Sequence, residues 1–116
     1  MSHQLRVIMD DKAVMFYDKN TRHPARLRRF FDEMDQNMDS GIQLGAEQIT
    51  SPQRADKISY VAMQLVRAVD AHNNNMIEMT AGWLVVHAPE LDEVRVTLEN
   101  DNFSMQLVMD KRGESR

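Results

Sequence analysis

Alternation of apolar and polar residues at both ends of the chain is the strongest constraint on its fold. Val94, Val96 and Leu98 alternate with Arg95, Thr97 and Glu99, and beyond Asn100-Asp101-Asn102 the pattern resumes with Phe103, Met105, Leu107 and Met109. Side chains along a strand point to its two faces in turn, so this pattern builds a sheet with one apolar face. Asn and Asp tolerate the left-handed backbone of a tight turn, which makes the two strands a hairpin. At the other end Leu5, Val7 and Met9 alternate with Arg6, Ile8 and Asp10; Asp10-Asp11-Lys12 supplies turn residues, and Val14-Met15-Phe16-Tyr17 reads as a return strand. A sheet with one apolar face needs a cover on that face.

The middle of the chain supplies it. Leu27, Phe30, Phe31, Met34 and Met38 fall on one face of a helix running from about Pro24 to Met38. Ile58, Val61, Ala62, Leu65 and Val69 form a second helical stripe, started either by Thr50 with Gln53 as a capping box or by Ser51 with Pro52 in the first turn. A third helix, capped by Asn74 or Asn75, runs toward Pro89; Met76, Ile77, Met79, Ala81, Trp83, Leu84, Val85 and Val86 leave it almost no polar face. A helix apolar all round belongs in a core or across a subunit interface. The expected fold is α+β: an antiparallel sheet made from an N-terminal and a C-terminal β-hairpin, with three helices between them packed on one face. Residues 1–110 are expected to form a single domain, with 111–116 a disordered tail.

Composition removes several function classes. The 116-residue chain has no cysteine, which excludes disulfides, thiolate metal sites and a cysteine nucleophile. No apolar run approaches the roughly 18 residues that span a bilayer, so no membrane partner is expected. The first residues lack a basic segment followed by an apolar one, and with the missing cysteine this points to a cytoplasmic location. Lys plus Arg number 14 and Asp plus Glu 18, a net charge of −4 that weighs against general nucleic-acid binding. Ten methionines, flexible and polarizable, indicate an adaptable core or an adaptable binding surface.

Few motifs carry chemistry. Asp35, Asn37 and Asp39, with Ile42, resemble the first half of an EF-hand loop, where alternate oxygen ligands wrap a calcium ion. The match then fails, with Ser40 in place of the sixth-position glycine and Ala46 in place of the twelfth-position glutamate, since Gly41 and Glu47 each come one residue late. The first helix also carries its charges in reverse of the dipole's preference, with Arg22, Arg26, Arg28 and Arg29 at its start and Asp32, Glu33, Asp35 and Asp39 toward its end. Pairs such as Arg28 with Asp32 and Arg29 with Glu33 would recover part of the cost. Arg22, Arg26 and Arg29 share one face, suited to phosphates or an acidic partner. His3, His23, His72 and His87 form no close ligand pair, and neither a nucleophile elbow nor a phosphate-binding glycine loop is present.

The expectation from the residues is a non-enzymatic, cofactor-free interaction or assembly domain, self-associating as a homodimer or meeting another protein partner. Its expected interaction surface comprises Arg22, Arg26, Arg29, Met76, Met79 and Trp83. Two alternatives stand beside it: a divalent-metal module at Asp35, Asn37 and Asp39, and a basic-face binder of nucleic acid or an acidic partner.

Overall fold

A computed structural model describes residues 3–99 and 102–109 of the chain. In order along it lie β1 (Gln4–Met9), β2 (Lys12–Asp18), α1 (Ala25–Asp39), β3 (Ile42–Leu44), β4 (Glu47–Ile49), α2 (Arg54–Asp70), α3 (Asn74–His87), β5 (Leu91–Glu99) and β6 (Asn102–Met109). The expected tail at 111–116 and most of the Asn100–Asn102 turn fall outside the described residues. No helix among the described residues is long and apolar enough to cross a membrane.

The fold is α+β, and both expected hairpins form: β1 pairs antiparallel with β2, and β5 with β6. The expectation of a wholly antiparallel sheet needs correction. The four strands lie in the order β2-β1-β5-β6, and β1 runs parallel to β5, with Val7 beside Val94 and Met9 beside Val96. Alternation within a hairpin fixes which side chains share a face but says nothing about how two hairpins abut. A parallel pair needs a long crossover, and the helical stretch between β2 and β5 provides one. The two strands that carry buried side chains, β1 with Leu5, Val7 and Ile8 and β5 with Leu91, Val94 and Val96, thereby take the centre. Met15, Val7, Val94 and Leu107 form one cross-strand row toward the core, and Met9, Val96 and Met105 form the next.

Helices α2 and α3 start where polar side chains can satisfy amides of the first turn. Asn73 caps α3, its side chain accepting from Met76 N at 3.2 Å, one residue earlier than the sequence suggested. Helix α2 also differs from expectation, beginning at Arg54 with Gln53 as its cap. The Gln53 backbone N–H donates to Asp56 Oδ2 at 2.9 Å as part of a capping box across the first turn. A short hairpin, β3 with β4, separates α1 from α2 and has its turn at Gly45, where φ is +64°. It buries Ile42.

The core joins the sheet's inner face to the helices through Leu5, Val7, Phe31, Leu65, Trp83 and Val94. Helix α3 is central: Thr80 through Val85 are all buried. Helix α1 meets it where Phe31 lies against Gly82, and a Cβ placed on that glycine would stand 2.4 Å from Phe31 Cζ. Only a residue without a side chain lets the helices approach this closely.

Candidate interaction surface on the first helix

Phe30 and Phe31 are adjacent, so about 100° of helix rotation separates them and only one can face the core. Phe31 does so and is fully buried, whereas Phe30 stays 37% exposed. Around Phe30 the residues Arg26, Leu27, Arg29 and Glu33 of α1, with Met79 of α3, line an open groove of about 390 Å³. A second groove, of about 280 Å³, continues along α1 past Met34, Asn37 and Met38 and is bounded by Tyr60, Gln64 and Met76. Four of the ten methionines, Met34, Met38, Met76 and Met79, line these two grooves.

The structure therefore brings Arg26, Arg29 and Met79 of the expected interaction surface into one groove and puts Met76 in the next. Arg22 is exposed just before α1. Trp83 is not a surface residue of this chain: it is 1% exposed and stacks on His87 at 4.7 Å between ring centroids. An all-apolar segment was open to either a core or an interface, and here the core takes nearly all of it, leaving only Val86 strongly exposed.

The charges of α1 are handled unequally. At its C-terminal end Lys57 of α2 donates to Asp39 at 2.5 Å and to Asp35 at 3.3 Å. The hydrogen bond to Asp39, reinforced by Asp35 and opposed by burial, holds the Lys57 ammonium above its usual value. At the N-terminal end there is no such compensation. Pro24 offers no side-chain cap, and no acid lies in the first turn. None of Arg22, Arg26, Arg28, Arg29, Asp32 and Glu33 makes an ion pair among the described residues, so the expected Arg28–Asp32 and Arg29–Glu33 pairs do not form. The positive end of the helix dipole thus faces a cluster of arginines, at a cost of about 0.3–1 kcal/mol per exposed charge.

The EF-hand-like residues sit differently from the way their spacing suggested. Asp35, Asn37 and Asp39 lie in the last turns of α1 and not in a loop. On a helix, residues two apart point to different sides, so Asn37 diverges from the Asp35–Asp39 pair and lines the second groove. The remaining half of the motif forms β3 and β4, and Glu47 opens β4. The cation met by these two aspartates is an ammonium group. Among the described residues no three His, Asp or Glu side chains are grouped as a metal site requires.

A polar contact that no motif foretold joins β2 to the start of α1. Tyr17 Oη and His23 Nε2 are 3.0 Å apart, and His23 also meets Phe31 edge-on at 5.2 Å. Burial, with the nearby negative charge of Glu78, raises the Tyr17 phenol above its usual value. Lone histidines carry no sequence signal for such pairing. The spacing places Phe30 on the same apolar stripe as Phe31, which hides its exposure. No protein-family model matches the chain, and no match was found among curated proteins or solved structures.

Proposed function

We infer that this chain is a non-enzymatic assembly domain that associates with a second copy of itself through the exposed side of α1. One observation carries the reading: a helix with uncompensated arginines in its first half borders an apolar, methionine-lined seam. A surface of this kind combines area for burial with charges that need a partner, and flexible methionines adapt to what they meet. Size-exclusion chromatography with light scattering tests it. A dimer mass at micromolar concentration is the expected result, and a monomer across the micromolar range would end the assembly reading.

The same arginines favour a second reading, a basic face that takes nucleic acid or another acidic partner. It is the weaker, because a net charge of −4 opposes the counterion-driven affinity such binding needs. It requires salt-sensitive retention on an anionic matrix that Arg26→Glu removes. Retention unchanged by that substitution would dismiss it.

A further inference from the structure

Which copy-to-copy arrangement suits α1 follows from the order of its charges, and this deepens the assembly reading on which it rests. Arg26 and Arg29 lie before Phe30 in the chain, and Asp32 and Glu33 lie after it. All five are exposed, and the four charged ones have no ion-pair partner among the described residues. The other two acids of the helix are already engaged by Lys57. Asp32 lies about 160° around the helix from Phe30, so the unengaged surface beside Phe30 has Arg26 and Arg29 on one side and Glu33 on the other.

We propose that α1 packs antiparallel against α1 of a second copy about a two-fold axis near Phe30, so that Arg26 and Arg29 of each copy face Glu33 of the other. A two-fold interface brings one patch against itself, so residue i meets j and j meets i. A helix whose two halves carry opposite charge satisfies that rule only when antiparallel; a parallel pair would set arginine against arginine. Opposed helix directions also bring each positive N-terminal end near the partner's negative C-terminal end. Arg26, Phe30, Glu33 and Asn37 follow a 4-3-4 spacing, which keeps one seam of the helix toward its partner. Phe30 then lies over the groove floored by Leu27 and Met79. Two symmetric charge contacts flank a small apolar centre.

Charge reversal tests the arrangement. One variant carries Arg26→Glu with Arg29→Glu, leaving its α1 acidic throughout the seam; the other carries Glu33→Arg, leaving it basic. All three positions are exposed, and circular dichroism checks that each variant keeps its helices. Light scattering is expected to find the wild type dimeric and each variant at least about tenfold weaker in self-association, because like charges across an interface oppose docking. An equimolar mixture of the two variants should give a 1:1 heterodimer of wild-type affinity. Should the wild type be dimeric while both folded variants dimerise equally well, or the mixture stay monomeric, the antiparallel α1 contact is overturned and self-assembly itself survives. A wild type that is monomeric throughout overturns both.

Discussion

Gly82 has no side chain to place, and the ring of Phe31 occupies the space where one would go. Gly82→Ala asks a fully buried aromatic to shift within a packed core, and overpacking of that kind costs about 1–3 kcal/mol. A urea or thermal melt should register the loss. Combining it with Phe31→Leu should cost less than the sum of the two single changes, since the residues share one contact. Additive effects would show that the ring is not what the new methyl group meets. Lys57 gives a second test. Its side chain is 13% exposed against 60% for Asp39, so water screens much of the pairing and Lys57→Met should cost no more than about 1 kcal/mol. The sign with pH is fixed by the raised ammonium. The pair's contribution is complete below the ordinary lysine value of 10.5 and is lost as pH rises through the higher folded value. Wild type and Lys57→Met should therefore converge in stability at the alkaline end, and a constant gap would contradict the assignment.

The turn from α3 into β5 is held at the scale of elements by two cationic side chains brought from far along the chain. Arg54 donates to His87 O at 3.0 Å and to Glu90 at 2.7 Å; Lys19 donates to Pro89 O at 3.1 Å and pairs with Asp92. Both satisfy carbonyls at or just beyond the negative end of a helix. Burial would push the Glu90 carboxyl up, but its own backbone amide, Arg54 and Lys19 together bring it below the usual value. A depressed acid contributes stability above its unfolded value and loses it as pH falls through the folded one. Stability should accordingly decline from this source as pH drops below about 4.5, and Arg54→Ala should shrink the decline in a stepwise acid titration by urea unfolding. An identical acid slope in the variant would rule the clamp out. These clamps also mark the limit of what sequence shows. Strand parity and the two helical stripes were legible because burial imposes a period, and Leu5, Val7, Val94 and Val96 all face inward as alternation required. The β3–β4 hairpin was not, because three-residue strands are too short to display one. Nor was the parallel β1–β5 pairing, which depends on how separate hairpins meet. The Asp35–Asn37–Asp39 spacing was ambiguous because the same residues are equally at home near a helix end, and Lys57, which pairs with two of them, lies well outside the motif.

Taken whole, the molecule has two sides that differ in how completely their charges are answered. On the uncovered face of the sheet Glu93 binds Arg6 at 2.6 Å and Arg95 at 2.8 Å. The exposed Phe16 and Val14 belong to edge strand β2, where the register shifts opposite Val7 and Ile8. A bulge in an edge strand twists it away from further strand pairing. The side bearing α1 lacks any comparable provision for its arginines. Folded stability alone gives no reason to keep them there, since placing acids first and arginines last would suit the dipole better. If association supplies the missing counter-charges, unfolding must also separate the copies, and the melting temperature must rise with protein concentration. A melt series over a hundredfold range of concentration, from about 1 to 100 times the dimer dissociation constant, should show that rise in the wild type. The same series on the Arg26→Glu, Arg29→Glu variant should show a clearly smaller rise. A flat wild-type series would place the source of the arginines' retention somewhere other than self-assembly.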